Sequence, residues 1–196
     1  MSLRRIVTSV IFSLLLTACG TEQQAKDRHP NMDMKQAGNR TEELLDATLN
    51  AVEPPVEWGY DTSNETACST GLNLPTGTTS VHRNRYVSTR VSEQRRGNFF
   101  GVIQRYWEKQ GFTITSVNAD RVMPTLNART PDGFALSLGV GAIGNVWFAG
   151  ASPCASDSDL TFPKGTPDKP GGPKGLPDLV PRHESPFWSS TEPLKT

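Results

Sequence analysis

The sequence predicts an α+β fold, with one main amphipathic helix and a short N-terminal helix packed on an antiparallel sheet of about four strands. Between residues 99 and 107 the apolar side chains recur at helical spacing and form one stripe. Downstream, residues 134–140 alternate large apolar and small side chains with the two-residue period of a half-buried strand. Because both apolar faces need a partner, a helix lying over an antiparallel sheet is the simplest way to bury them.

Capping and helix-breaking residues delimit the two predicted helices. The main helix follows Ser92, whose hydroxyl can accept a free backbone N–H, and ends at Gly111, which can adopt the left-handed C′ conformation. Gly97 weakens its first turns, so the ordered helix is expected to begin near Asn98. The short helix is predicted over residues 41–52, with acidic residues in its first turn, where the helix dipole favours negative charge.

The predicted strands lie at residues 85–91, 112–117, 134–140 and 145–151. Pro131-Asp132-Gly133 marks a turn before the third strand, since proline presets φ and glycine supplies a positive φ. Residues 139–144 match the pattern G-x-G-x-x-G, but a strand-like segment follows instead of the helix that a dinucleotide site requires. A hairpin turn is therefore predicted there. Residues 58–75 are predicted to form a loop.

The first residues are typical of an export signal. Two arginines form a positive region, and residues 6–16 form an apolar stretch that is too short to span a bilayer. Leu16-Thr17-Ala18-Cys19 then resembles the lipobox of bacterial lipoproteins. The resemblance implies that residues 1–18 are a removed signal peptide and that Cys19 carries the lipid that anchors the chain at the extracytoplasmic face of the cell membrane. The alternative is an ordinary secretory signal with an incidental cysteine.

Composition divides the rest of the chain into three parts. Residues 19–40 are polar and lack periodicity, which is typical of a flexible tether. Residues 41–154 are predicted to form the single α+β domain. Residues 155–196 are rich in Pro, Gly and Lys and are predicted to form a disordered tail, which is either a spacer or a ligand for a groove on another protein. Within this tail, Phe187-Trp188 can dock back on the domain or on a partner.

The chain contains three cysteines. If Cys19 carries the lipid, Cys68 and Cys154 remain as a pair in an oxidising compartment, which predicts a disulfide bond. A bond between them closes a loop around the whole core, and the chain-entropy estimate for such a loop is about 4–5 kcal/mol of stability. Two free buried thiols are the alternative.

A basic cluster precedes and opens the main helix. Between residues 82 and 109 seven basic residues stand against two acidic ones, whereas residues 41–68 contain seven acidic residues and no basic one. The cluster is a candidate site for an anionic wall polymer or for lipid headgroups. Its candidate residues are Arg83, Arg85, Arg90, Arg95 and Arg96. The alternative is that the acidic stretch faces the cluster, or that the cluster is only solvated.

The sequence contains no recognisable catalytic constellation, metal site or cofactor-binding motif. The three histidines stand apart from any metal-ligand spacing, and no nucleophile motif occurs. Twenty basic and twenty acidic residues give a neutral balance, which argues against a general nucleic-acid binder.

Four short segments make the core similar to small lipoproteins of unknown role from actinomycete-type bacteria. They are Tyr106-Trp107, Gly111-Phe112, Pro131-Asp132-Gly133-Phe134 and Ser152-Pro153-Cys154. The resemblance covers about a third of the chain and implies no activity. The sequence therefore predicts a membrane-anchored, non-enzymatic binding module whose partner is a cell-envelope protein or an anionic wall polymer. The alternative is an envelope enzyme, or an enzyme accessory, with a site that cannot be recognised in the sequence.

Overall fold

The computed structural model describes residues 32–158 and 179–193, and it has the predicted α+β class. Two helices, α1 (Met34–Asn50) and α2 (Glu93–Lys109), pack on an antiparallel sheet. The strands are β1 (Trp58–Tyr60), β2 (Asn64–Ser69), β3 (Pro75–Val87), β4 (Thr113–Asn118), β5 (Thr125–Arg129), β6 (Ala135–Val140), β7 (Val146–Ala151) and β8 (Ala155–Ser156). The predicted signal peptide, Cys19 and the tether as far as residue 31 lie outside the described residues.

The long strand β3 organises the sheet, whose order is β1-β3-β7-β6-β5-β4. The second half of β3 pairs with β1 on one side and with β7 on the other, and its first half pairs with β2 and β8. Helix α1 packs on β3 and β7, helix α2 packs on β4 and β5, and the two helices touch each other. Both helices therefore cover the same face of the sheet, where the main core cluster lies.

The sheet has eight strands, so the prediction of about four strands was wrong. Strands β1 and β2 lie in the stretch that was predicted to be loop, and β5 and β8 were not predicted. Strand β2 has no buried face to create an alternating pattern, because most of its side chains are exposed. Strand β3 ends at Val87 rather than near residue 91, because residues 88–90 turn away to bond residue 57 and the C-terminal part of the chain.

Helix α1 begins at Met34, seven residues before the predicted start. Asp33 and Gln36 form a reciprocal capping box in which the Asp33 carboxylate accepts the Gln36 N–H at 2.8 Å and the Gln36 amide oxygen accepts the Asp33 N–H at 3.0 Å. Residues 34–40 are therefore helical, and this part of the predicted tether was wrong. The pattern D-x-x-Q at residues 33–36 was the available sequence signal.

Helix α2 begins at Glu93, directly after the predicted cap Ser92 and five residues before Asn98. Its predicted end is confirmed: Gly111 has φ +78°, and the Phe112 N–H donates to the Trp107 carbonyl at 2.9 Å. The predicted turns at residues 131–133 and 139–144 are also confirmed, because they connect β5 to β6 and β6 to β7 as hairpins. The G-x-G-x-x-G pattern thus closes a hairpin.

Residues 179–193 form an ordered segment, which we call the C-terminal segment. Its Trp188 is only 1% exposed, lies edge-to-face with Phe99 of α2 at 5.2 Å, and donates its indole N–H to the Pro54 carbonyl at 2.6 Å. The expectation that all of residues 155–196 are disordered was therefore wrong. Strand β8 and the indole ring of Trp188 both bury apolar surface. Of the two options for Phe187-Trp188, docking on the domain is the one observed.

The predicted disulfide is confirmed. Cys68 and Cys154 are bonded, with their Cα atoms 6.3 Å apart. The bond connects the exposed strand β2 to the residues between β7 and β8. Because β2 and β8 both pair with the first half of β3, the bond links its two neighbours.

Candidate functional site

The sheet face opposite the helices is the candidate functional site, and we call it the open face. The central strands alternate strictly: Val81, Arg83, Arg85 and Val87 of β3 are buried under the helices, while the residues between them are half-buried and point the other way. Among the described residues, no helix packs on this second face. A two-layer domain therefore presents a large part of its sheet to its surroundings.

Strand register places side chains of the open face in rows that run across the sheet. The first row, which we call the aromatic row, contains Gly59, Tyr86, Trp147, Gly139, Thr125 and Asn118 in that order. Each residue is directly opposite the next on the neighbouring strand. The two large side chains are thus adjacent at the centre, with a glycine on the outer side of each.

The two aromatic rings lie over these glycines. A Cβ atom added to Gly139 would collide with the Trp147 indole, and one added to Gly59 would lie 2.7 Å from Cζ of Tyr86. Each ring therefore covers the backbone of a neighbouring strand at a position where a side chain would collide with it. The Trp147 ring extends over β6, and the Tyr86 ring extends in the opposite direction over β1. In the sheet order β1 and β6 are three strand spacings apart, which is about 14 Å.

The second row, the amide row, contains Asn84, Ala149, Ser137, Asn127 and Ser116. Three of its polar groups are hydrogen-bonded along the row: the Ser137 hydroxyl donates to Oδ1 of Asn127 at 2.6 Å, and Nδ2 of Asn127 donates to the Ser116 hydroxyl at 2.8 Å. These two hydrogen bonds together fix the orientation of the Asn127 amide. The fourth polar group, Asn84, donates its amide N–H to the Thr62 carbonyl instead. The row is therefore an ordered line of neutral hydrogen-bonding groups beside the rings.

The third row contains His82, Ala151, Ala135, Arg129 and Thr113. Nε2 of His82 is buried and makes no hydrogen bond with the described residues. Burial, with the nearby Arg83 charge as a second cause, holds the pKa of His82 below its usual value. The imidazole is therefore a neutral group at neutral pH, and Arg129 is the cationic residue of the three rows.

The predicted basic cluster is divided among separate parts of the molecule. Arg83 and Arg85 are each 1% exposed and lie between β3 and α1 on the covered face. Nε of Arg83 is 3.2 Å from Glu42, and Nη2 of Arg85 is 2.8 Å from Asp46. Arg83 and Arg85 are therefore arranged as the second interpretation of the sequence describes, with the acidic stretch facing the basic residues.

Burial raises the pKa of Glu42, while the charges of Arg85 and Arg83 pull it down. The Arg85 guanidinium also lies 4.2 Å from the centre of the Tyr60 ring, so it is held between a carboxylate and an aromatic face. Both arginines therefore already have partners inside the domain. That Arg83 and Arg85 also bind an external anion stays a prediction.

The other three arginines lie around the start of α2. Arg90 makes two 2.7 Å hydrogen bonds to the Glu184 carboxylate in the C-terminal segment. Arg95 donates to the Phe187 carbonyl at 3.0 Å and lies over the Phe187 ring. Arg96 donates to the Val122 carbonyl at 2.9 Å. Only Arg90 of these three has an ion pair with a described residue.

Sequence reasoning located the strands that carry Tyr86 and Trp147 but did not single out either residue. The available signal was the alternation itself: Val146 and Phe148 face the core, so the Trp147 between them must face outward. The matching signal at Gly139 and Gly59 was not available, because only the strand register places these glycines beside the rings.

Within the described ranges, no three His, Cys, Asp or Glu side chains are grouped so that they could hold a metal ion. In the same ranges, neither helix has the length and apolar character needed to cross a bilayer. Comparisons with protein-family models, with curated proteins and with solved structures found no match to this chain.

Proposed function

We propose that this chain is a non-enzymatic binding module, tethered to the outer face of the cytoplasmic membrane through lipid on Cys19, that binds a glycan of the cell envelope on the open face of its sheet. The observation that carries the proposal is the indole ring of Trp147, which lies over Gly139 on the open face of the sheet. A sugar ring has one face of C–H bonds, and these pack favourably on the electron-rich face of an aromatic ring. The hydroxyl groups at the edge of the sugar then need hydrogen-bonding partners.

The amide row supplies such partners beside the rings, through Asn127, Ser137 and Ser116. The aromatic row and the amide row both cross several strands, so an extended ligand fits this surface best. The three rows contain no carboxylate, and Arg129 is their cationic residue. This charge pattern favours a neutral or weakly anionic polymer over a densely charged one.

Cosedimentation with purified peptidoglycan sacculi tests the binding surface. The full chain in detergent micelles should pellet with the sacculi, and Trp147→Ala should weaken the apparent affinity about tenfold or more, because the ring face is lost. Trp58→Ala is the matched control, since Trp58 is a half-buried tryptophan on β1 that lies on the covered face opposite Val87. Equal pelleting of Trp147→Ala and of the unchanged chain would contradict the proposal.

Fractionation of cells tests the anchor. Cys19→Ser should leave a chain that is not processed at this position or that is released from membranes. The same mature mass and the same membrane retention for both forms would exclude lipidation of Cys19.

A further inference from the structure

A cavity of about 370 Å³ lies at the N-terminal end of α2, away from the open face. Residues from three parts of the chain line it: Arg96 and the first residues of α2, Gly144 in the hairpin turn between β6 and β7, and Val180 and Thr191 in the C-terminal segment. Three chemical features of this cavity point to the same kind of ligand.

The first feature is the uncapped end of the helix. Ser92 occupies the N-cap position, but its side chain makes no capping bond, because its hydroxyl donates to the Ser190 carbonyl in the C-terminal segment. The backbone N–H groups of Glu93 and Gln94 make no hydrogen bond with any described residue. These free N–H groups carry the positive end of the helix dipole, and the two residues that bear them line the cavity.

The second feature is Arg96, which is only 9% exposed and lines the cavity. Its Nη1 donates to the Val122 carbonyl, its Nε is buried with no hydrogen-bond partner, and no described carboxylate lies within ion-pair distance. A buried cation in this state has lost its hydration without gaining a counter-charge. The contrast with Arg83 and Arg85 is direct, because both of those have carboxylate partners.

The third feature is the state of the other charged groups that line the cavity. Arg90 is already paired with Glu184. Glu93 is about half exposed, and its carboxylate lies 3.8 Å from Nη2 of Arg121. Arg121 lines a neighbouring cavity, which Glu93 and Arg96 also line. No charge of this lining therefore neutralises Arg96.

We infer that this cavity is a binding site for a phosphate group, held by the guanidinium of Arg96 and by the N–H groups of Glu93 and Gln94. A phosphate oxygen can accept two or more hydrogen bonds at once and carries the negative charge that both the helix end and the arginine lack. The site does not depend on the proposed glycan surface, because it lies at the end of α2 and shares no residue with the three rows.

Thermal unfolding of the full chain tests this site, with inorganic phosphate and chloride compared at equal ionic strength. Phosphate should raise Tm in a concentration-dependent manner, because it binds the folded chain alone. Arg96→Gln should weaken phosphate binding at least tenfold, and in chloride it should be as stable as the unchanged chain or more stable, because it removes a buried unpaired charge. Arg121→Gln is the matched control, since this neighbouring arginine is exposed, and it should keep the full response to phosphate.

Two additions keep the test decisive. Phosphorus NMR line broadening on the unchanged chain detects phosphate binding directly, so the test does not depend on Arg96→Gln folding. Glycerol phosphate, a soluble analogue of a lipid headgroup, distinguishes the two sources: tighter binding than inorganic phosphate indicates a headgroup, and weaker binding indicates the free ion. Absence of line broadening together with an unchanged Tm, or an equal response in Arg96→Gln, would overturn the inference.

Discussion

Two segments of the chain pack against the rest of the domain, and they do so by different means. The N-terminal segment, residues 33–69, is held by ion pairs between α1 and β3 and by the Cys68–Cys154 disulfide. The C-terminal segment, residues 179–193, is held by one buried indole ring, by hydrogen bonds to backbone carbonyls and by a single exposed ion pair between Arg90 and Glu184. Both segments meet near residues 52–57, where the Trp188 indole N–H donates to the Pro54 carbonyl.

The difference lies in what each segment does with the arginines that it contacts. The N-terminal segment brings carboxylates to Arg83 and Arg85, so the charge of this buried pair is balanced. The C-terminal segment brings a carboxylate to Arg90 only, while Arg95 receives a carbonyl and an aromatic ring. The first contact therefore balances the charge of its buried arginines, whereas the second leaves positive charge near the end of α2.

The largest effect should come from removal of the disulfide. Replacing Cys68 and Cys154 with Ala should lower the free energy of unfolding by about 4–5 kcal/mol, because 86 residues separate the bonded cysteines and the unfolded chain gains their freedom. Urea unfolding measures the change. The loss should also expose β2 to protease before the C-terminal segment, since most side chains of β2 are exposed whereas Trp188 is buried. A stability equal to that of the unchanged chain would show that the other contacts hold β2 without the bond.

Trp188→Ala should destabilise the fold by about 3–5 kcal/mol, since it opens a cavity against Phe99 and leaves the Pro54 carbonyl without its donor. Trp188→Phe is the matched variant, because it keeps most of the ring contact and loses only the N–H. In urea unfolding, the free energy of unfolding of Trp188→Phe should lie between that of the unchanged chain and that of Trp188→Ala. A neutral Trp188→Ala would mean that the C-terminal segment rests on the domain without stabilising it.

The sequence predicted those parts of the fold whose signals are local. Gly111 gave the end of α2, whereas Gly97 wrongly suggested a start near Asn98. Alternation gave β6, and β-branched and aromatic residues gave β7. The disulfide followed from counting the cysteines. These features depend on residues within a few positions of each other, or on the number of one residue type.

The missed parts depend on contacts between distant residues. Strand β2 forms because β3 offers it an edge. Trp188 is buried because a site at Phe99 and Pro54 fits it, although apart from Phe187 its nearest neighbours in sequence are polar or proline. The candidate surface was missed for the same reason, since only the register brings Tyr86 and Trp147 side by side. Charge counting suggested that acids face the basic cluster, but it could not show which arginines would be left without them.

Glu42→Gln should destabilise the fold by about 3 kcal/mol, because it leaves the buried guanidinium of Arg83 without a carboxylate. Glu43→Gln is the matched control: this neighbouring carboxylate is 68% exposed and pairs only with the exposed Arg40, so its loss should change stability by less than about 0.5 kcal/mol. Urea unfolding compares the two. Replacing both Glu42 and Arg83 with apolar residues should recover most of the loss, and a double variant as unstable as Glu42→Gln would show that packing, not charge, is the cause.

The smallest effect should be the response of the C-terminal segment to acid. The hydrogen bond from Arg90 holds the pKa of Glu184 below its ordinary value of 4.5. An acid with a lowered pKa stabilises the folded form above its ordinary pKa, and this contribution is lost as the pH falls through the lowered value. Below pH 4.5 residues 179–193 should therefore exchange amide hydrogens faster relative to α2, measured by mass spectrometry with correction for intrinsic rates. Glu184→Gln should show the faster exchange already at neutral pH and lose this acid response, whereas Glu192→Gln, in the same segment, should behave like the unchanged chain. If acid accelerates exchange equally in Glu184→Gln, another group releases the segment.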